Sequence, residues 1–173
     1  MPSVAPLLQA EPATPESAAE SPDAHHAELR LWLRLLTCTT LIEGEVRRRL
    51  RERFSVTLPR FDLMAQLDRV PQGLTLGELS RRLMVSNGNV TGLVERLAAS
   101  GHVQRLPHAE DRRVVYVRLT DSGRDEFTAM ARAHADWIAE LFEDVPAAER
   151  EALTAALGRL KRAVRSTVAR EAT

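Results

Sequence analysis

The chain has 173 residues, of which 44% are hydrophobic and 28% charged, and this composition predicts one globular domain or one domain with an extension. Its single cysteine, Cys38, excludes an internal disulfide and fits a reducing compartment. The N-terminal stretch lacks a basic start, and no apolar run reaches the roughly 18 residues of a membrane helix. We therefore expect a cytoplasmic protein without a signal peptide or a transmembrane helix.

The formal net charge is zero, but the two signs are unevenly distributed. Residues 1–28 contain five acidic residues and no Lys or Arg, whereas residues 29–58 contain seven Arg against three acidic residues. Residues 59–118 contain nine Arg against six acidic residues, and residues 119–173 contain eight basic against ten acidic residues. The middle of the chain is therefore basic, so a neutral total does not exclude a nucleic-acid partner.

The N-terminal part divides into a tail and two helices. Residues 1–27 hold five of the nine prolines and only acidic charges, which predicts a flexible tail. A second helix begins at Pro59 and ends before the turn at residues 71–73. Residues 28–53 are predicted to form one long helix, because spacings of three and four place on a single face Trp32, Leu35, Thr39, Ile42, Val46 and Leu50.

Two short helices joined by a tight turn are predicted in the middle of the chain. Thr75 and Glu78 have the spacing of a capping box and begin a helix that runs to about Leu83. The side chain of Ser86 can cap the next helix, and Gly101 ends that helix in the left-handed conformation. This pair is a candidate helix-turn-helix.

Two strands are predicted next, at His102–Leu106 and Arg113–Leu119, because their side chains alternate in character. A polar loop, residues 107–112, joins them. The residues predicted to point inward are Val103, set against Val115 and Val117.

Two long helices are predicted to complete the chain. Thr120 begins the first, whose inward side is predicted to carry Phe127, Met130, Ala131, His134, Ile138 and Leu141. Pro146 marks the start of the second. Steps of four, three, four and four give the second helix a stripe suited to pairing with another helix, formed by Leu153, Leu157, Leu160, Val164 and Val168.

A helix-turn-helix followed by a two-stranded hairpin predicts a winged helix, so the expected fold is mainly α with a small β-hairpin wing. The major groove of DNA admits one helix, whose N-terminal end does most of the base reading. Here that end carries short hydrogen-bonding side chains. The residues predicted to contact DNA are Thr75, Ser86, Asn87, Asn89, Thr91, Arg96, Asp111, Arg112 and Arg113.

Two glycines and the wing loop bear on this prediction. Gly88 and Gly92 weaken the second helix by roughly 1 kcal/mol each, and close approach to DNA or to a neighbouring helix would compensate. In the wing, Arg113 is predicted to enter the adjacent minor groove, held by a charge-assisted hydrogen bond to Asp111. A surface ion pair of little energetic consequence is the alternative.

Two stretches, LSRRLMVSNGNVTGLVERLAASGHVQR and DRRVVYVRLTDSG, resemble the MarR family of bacterial transcriptional regulators. The D-x-R pattern of the wing, at Asp111 and Arg113, is part of that resemblance, which covers about residues 28–168. The resemblance implies a homodimer that binds a palindromic operator. It also implies that the protein is usually a repressor, released from DNA by a small, often aromatic, ligand.

The resemblance also implies a division of the chain. The winged helix-turn-helix occupies about residues 59–119, and the dimerisation helices occupy about residues 28–53 and 120–168, leaving residues 169–173 as a C-terminal end. The apolar stripes of the terminal helices agree with a dimer, because no other domain would cover them. The interface is predicted to include Leu153, Leu157, Leu160 and Val164.

An effector pocket is predicted near the first arginine cluster. Its apolar walls would suit an aromatic carboxylate or the CoA thioester of one, and burial of the same residues in the core is the alternative. The stretch TLPRFDLMAQLDR resembles the branch of the family that responds to hydroxycinnamate-type compounds. No cofactor and no metal site is expected. The residues predicted to line the pocket are Trp32, Phe54, Phe61 and Met64.

Four other functions compete with this interpretation. Oxidant sensing through Cys38 is one, but no His or Lys lies close in sequence to activate the thiol, so we expect it to be buried and inert. An enzyme is disfavoured, because the five histidines lack metal-ligand spacing and no P-loop or G-x-S-x-G motif is present. A protein-binding winged helix predicts an apolar or acidic recognition face, and RNA binding predicts aromatic stacking platforms. The sequence favours neither protein binding nor RNA binding.

Overall fold

The computed structural model describes residues 25–107 and 114–171. Its elements confirm a mainly α fold with a small antiparallel sheet. In chain order they are α1 (His26–Phe54), α2 (Leu58–Asp68), β1 (Leu74–Thr75), α3 (Leu76–Leu83), α4 (Asn87–Ala99), β2 (Val103–Pro107), β3 (Val115–Leu119), α5 (Asp121–Leu141) and α6 (Ala147–Glu171).

The chain forms two compact units, which divide within α1 between Leu41 and Ile42. In the first unit, the described residues are 25–41, and their large apolar side chains are exposed except for the half-buried Leu35. Among the described residues, no helix combines the length and the apolar character that crossing a membrane requires. The exposed apolar residues of the first unit are Leu29, Leu31, Trp32, Leu33, Leu36 and Leu41.

The face that the periodicity predicts along α1 is buried only in its second half. Val46 and Leu50 belong to the core of the second unit, whereas Trp32 and Thr39 are exposed. The periodicity therefore located the helix correctly. Helical spacing shows which side chains share a face, but it does not show that the same chain covers that face.

The helix starts agree with the capping residues identified in the sequence. Pro59 lies in the first turn of α2, as predicted. The capping box of α3 is present: the Thr75 hydroxyl accepts from the Glu78 N–H at 3.3 Å, and the Glu78 carboxylate accepts from the Thr75 N–H at 2.8 Å. The hydrogen bonds from the Thr75 backbone and hydroxyl lower the pKa of Glu78. Local sequence thus fixes where α3 begins.

The sheet has a third strand that the sequence analysis missed. β1 pairs with β3, and β3 pairs with β2, so the strand order is β1-β3-β2. A strand of two residues is too short to show alternation, which explains why it was not predicted. Its position is still consequential, because it ties the start of α3 to the wing.

The register of the wing differs from the prediction. Val103 lies opposite Leu119 rather than opposite Val115 or Val117, and Val117 lies opposite Arg105. The inward side was nevertheless correct for Val103 and Val117, since both are buried. Pro107 belongs to β2, and the rest of the predicted loop, residues 108–112, lies outside the described residues, as does Arg113.

The core of the second unit lies between α2, α4, α5 and the sheet. In α5 the prediction was correct for Phe127 and Met130 but missed Ala133 and Trp137, which are buried. The predicted inward residues Ala131, His134 and Ile138 are only half-buried, and Leu141 is exposed. The buried face is thus displaced by one or two positions from the predicted one.

Trp137 explains part of that displacement, because its large ring occupies a site between two helices. The centroid of the Trp137 ring lies 6.2 Å from that of the Phe54 ring. The Arg49 guanidinium lies 6.0 Å from the Trp137 centroid. Arg49 also donates to Glu140 at 2.6 Å. These contacts join the second half of α1 to the end of α5.

Candidate DNA interface

The turn between α3 and α4 is held by one serine. The Ser80 hydroxyl donates to the Val85 carbonyl at 2.6 Å, and the Val85 N–H donates to the Ser80 carbonyl at 3.2 Å. Met84 adopts the left-handed conformation within this turn, with φ 55° and ψ 39°. The turn therefore has a fixed geometry, and it sets the direction in which α4 leaves α3.

One face of α4 is buried and its N-terminal end is exposed. Ser86 is the N-cap, and its hydroxyl accepts from the Asn89 N–H at 3.4 Å, as the sequence predicted for a capping serine. The side chains of Asn87 and Asn89 are exposed in the first turn, whereas Thr91 is half-buried and donates to the Asn87 carbonyl at 3.0 Å. The face is anchored by Val90, Leu93, Val94 and Leu97.

The two glycines of α4 lie on an open surface. A Cβ added to Gly88 would have no atom within 4 Å, and one added to Gly92 would meet only the flexible guanidinium of Arg96, at 3.5 Å. A neighbouring helix therefore does not account for either glycine. Both glycines line a shallow depression beside the polar end of α4, which Pro59 and Val85 also border.

Arg60, on α2, contacts α4 and was not singled out from the sequence. Its guanidinium donates to the Arg96 carbonyl at 3.1 Å and so fixes α2 against the second half of α4. The Arg60 Nε is buried and has no hydrogen-bond partner among the described residues. Arg96 itself is exposed, as a DNA contact would require. A contact of this kind across 36 residues leaves no signal in local sequence.

The base of the wing is tied to both α4 and α5. The His102 ring contacts the Ser100 hydroxyl through Nδ1 at 2.6 Å and the Glu126 carboxylate through Nε2. The Thr120 hydroxyl, besides capping α5, donates to the Gly101 carbonyl at 2.7 Å. The wing therefore projects from a rigid base.

Gly123 is required at this junction. A Cβ at that position would lie 2.0 Å from the His102 carbonyl oxygen, closer than any real contact allows. The first turn of α5 can approach the base of the wing only because residue 123 has no side chain.

The predicted contacts of the wing tip, Asp111, Arg112 and Arg113, lie outside the described residues. The strands below the tip supply a further basic group. Arg118 on β3 lies opposite Gln104 on β2, and the Gln104 amide oxygen can accept from the Arg118 Nε at 2.8 Å. The described part of the wing therefore carries a basic side chain at Arg118.

Thr75 was also predicted to contact DNA. In the structure its hydroxyl is engaged in the capping box of α3, where it both accepts from the Glu78 N–H and donates to the Glu78 carboxylate at 2.8 Å. Its backbone pairs with Tyr116 in the sheet. Its role in the described structure is to begin α3.

Of the four residues predicted to line an effector pocket, three lie in or against the core of the second unit. Phe61 and Met64 are 6% and 0% exposed and belong to the core, where Phe61 packs on Phe127 at 5.5 Å and on the His134 ring at 5.1 Å. Burial lowers the pKa of His134. Phe54 packs against the same core, whereas Trp32 belongs to the N-terminal unit and is 56% exposed.

Cys38 was expected to be buried and is instead exposed. The expectation came from the general burial preference of cysteine, which assumes that the surrounding helix face is covered. In the structure, most side chains of residues 25–41, including Cys38, are exposed rather than covered.

The fold and the geometry of α3, α4 and the sheet define a winged-helix DNA-binding protein. A family model described as the MarR family matches residues 54–114. The chain resembles the crystal structure of a MarR family transcriptional regulator from Silicibacter pomeroyi, with 37% identity, a TM-score of 0.71, and coverage of 82% of this chain and 98% of that one. The chain belongs to the MarR family of transcriptional regulators.

Two further proteins are similar to the chain. It is 35% identical over 105 residues to the transcriptional activatory protein BadR of Rhodopseudomonas palustris, a match that covers 60% of this chain and 59% of BadR. The crystal structure of Streptococcus pneumoniae FabT in complex with DNA shares the fold, with 23% identity, a TM-score of 0.69, and coverage of 80% of this chain and 98% of that one. The Silicibacter pomeroyi protein and BadR are transcriptional regulators, so the enzyme alternative is set aside.

Proposed function

We propose that this regulator is a homodimeric repressor that binds a palindromic operator through α4 and the wing. The observation that carries the proposal is the polar, exposed first turn of α4, held outward by four buried side chains on the opposite face. A major groove admits such a helix, and short amide side chains at its N-terminus match the hydrogen-bonding edges of bases. The positive charges of the exposed Arg96 and the half-buried Arg118 would pair with phosphates.

The proposed homodimer is supported by apolar surface that the described chain leaves uncovered. In α6, the residues predicted at the interface are exposed, with Leu157 at 46% and Val164 at 52%, and Leu160 is half-buried. Exposed apolar side chains in such number are typical of interaction sites. A second copy is the partner that the symmetry of a palindromic operator requires, since two half-sites one helical turn apart need two recognition helices.

A groove of about 510 Å³ lies between the end of α5 and α6. Its walls include Ile138, Phe142, Leu153 and Leu157, two of which are predicted dimer contacts. The guanidinium of Arg150 at its rim is already engaged, donating to the Phe142 and Val145 carbonyls at 3.1 and 3.0 Å. We therefore assign this groove to the dimer interface and not to an acidic effector.

We further propose that a small aromatic acid or its CoA thioester releases the protein from DNA. The resemblance of the sequence supports this, and the packing of Phe61 and Met64 adds a condition. Because both side chains lie in the core, the effector would have to open the space between α2 and α5. Such an opening would also move Arg60, which holds α2 against α4.

The test is fluorescence anisotropy of the full chain on the DNA upstream of its own gene, at two salt concentrations, with a panel of aromatic acids and their CoA esters. We expect saturable binding that weakens with salt, because lysine- and arginine-bound phosphates release counterions. One compound of the panel should abolish it. Binding that matches the affinity for random DNA would reject the operator proposal.

Transcription in vitro from the same promoter decides the direction of regulation. Repression is expected, since a dimer bound over a promoter excludes the polymerase. Increased transcript on adding the protein would contradict the repressor assignment and would instead resemble BadR, a transcriptional activatory protein.

A further inference from the structure

The turn that precedes α4 contains a residue whose backbone conformation is unfavourable for its type. Met84 has a φ of 55°, in the left-handed region that glycine adopts without cost and that unbranched apolar side chains rarely adopt. Glycine is the usual residue where a helix ends in this conformation. A methionine here therefore costs stability that a glycine would not.

The side chain of Met84 adds almost no packing to the described fold. It is 90% exposed, the highest value among the exposed large apolar side chains of the described residues. Its backbone N–H donates to the Ser80 carbonyl, and the Ser80 hydroxyl holds the next residue, so the turn is rigid. The side chain is thus presented to the outside from a fixed base.

The position of Met84 places it at the edge of the proposed base-reading surface. It lies two residues before the N-cap Ser86 and three before Asn87, and three Cα steps span at most about 11 Å. A methionine side chain is long, unbranched and flexible, so it can reach a base pair next to those that Asn87 and Asn89 would read.

We propose that Met84 contacts the C5-methyl group of a thymine in each half-site and thereby adds to sequence specificity. This inference rests on the proposed operator-binding function. The chemistry selects thymine because a thioether has no hydrogen-bond donor and so gains nothing from a phosphate. The thymine methyl is the apolar group that base edges present in the major groove.

The experiment uses an operator selected from random duplexes, in which each thymine is replaced in turn by deoxyuridine, which lacks only the methyl group. We expect the wild-type protein to bind about fourfold more weakly, per half-site, when one particular thymine is replaced, the effect of uncovering about one methyl group. Replacement of thymines elsewhere in the half-site tests whether the effect is local.

Two variants separate this contact from a structural role of the turn. Met84→Gly removes the side chain and suits the left-handed backbone, so we expect it to fold at least as stably and to bind thymine and deoxyuridine operators equally. Met84→Gln keeps the length of the side chain and the backbone cost but replaces the thioether with an amide, and it should lose the same discrimination.

Two results would overturn the inference. One is wild-type binding that is insensitive to deoxyuridine at every thymine. The other is Met84→Gly binding with the same sensitivity as the wild type. Both differ from failure of the proposed function, in which the wild-type protein would select no sequence at all.

Discussion

The winged-helix region buries its apolar side chains, whereas α6 leaves many of its own exposed. In α4, four apolar residues are at most 8% exposed, and caps and turns fix both ends of the helix. In α6, Leu153 and Val168 are 51% and 60% exposed, although the helix runs for 25 residues. The first region is completed by its own chain, whereas the second has the surface of a helix that needs a partner. DNA reading and assembly are therefore assigned to different parts of the molecule, and each part can be perturbed separately.

The largest effect is expected from breaking the assembly. Leu160→Asp places a charge in the stripe of α6, so the dimer should dissociate, because an unpaired charge cannot be buried at an apolar interface. Operator affinity should then fall by about 10²-fold or more, since the second half-site no longer gains from effective concentration. Analytical ultracentrifugation and anisotropy measure the two quantities. Ala155→Asp, on the opposite face of α6, is the matched control, and an intact Leu160→Asp dimer would refute the interface.

The next effect concerns the rigid base of the wing. Gly123→Ala should destabilise the protein by about 3 kcal/mol, at the upper end for overpacking, because the new Cβ would meet the backbone of His102 rather than a movable side chain. Chemical denaturation measures the loss. Gly158→Ala in α6 is the control, since its Cβ would meet only the end of Arg162 at 3.8 Å, and it should stabilise the helix by about 1 kcal/mol. Equal stability of the two variants would show that the α5 junction is not as tight as described.

A smaller and more specific effect is expected at the first turn of α4. Asn89→Ala should cost roughly 1–3 kcal/mol of discrimination at one base pair in each half-site and little at the others. Affinities for a panel of operators with single base-pair changes give that number directly. A uniform loss across the panel would instead identify Asn89 as a phosphate contact.

The smallest effect is expected from the wing. Arg113→Ala should weaken operator binding and reduce the salt dependence by about 0.9 in the slope of log affinity against log salt, because one phosphate-bound counterion is no longer released. Arg132→Ala on α5 serves as the control and should leave the slope unchanged. An unaltered slope for Arg113→Ala would remove the wing from the interface.

Local signals in the sequence predicted much of the fold. Thr75 with Glu78, Ser86 and Gly101 each act within one turn of the backbone, so their spacing alone located the ends of α3 and α4. The alternating side chains of the next two segments then placed the wing directly after them. Features that depend only on neighbouring residues could therefore be predicted without a structure.

Features that depend on contacts between distant parts of the chain could not be predicted from the sequence. The approach of Arg60 to Arg96, the closeness of Gly123 to His102 and the two-residue strand β1 are all created by tertiary packing. The exposure of Cys38 had a different cause. Periodicity showed a helix there, but burial depends on what covers the helix, and sequence spacing carries no such information.

The proposed operator recognition requires two copies of the chain to read two inverted half-sites with α4. Selection of binding sites from random duplex DNA by the protein, followed by sequencing, tests this requirement. We expect a palindromic consensus whose half-site centres lie about 10–10.5 base pairs apart, or a multiple of that spacing. A single unrepeated site, or no enriched sequence, would contradict it.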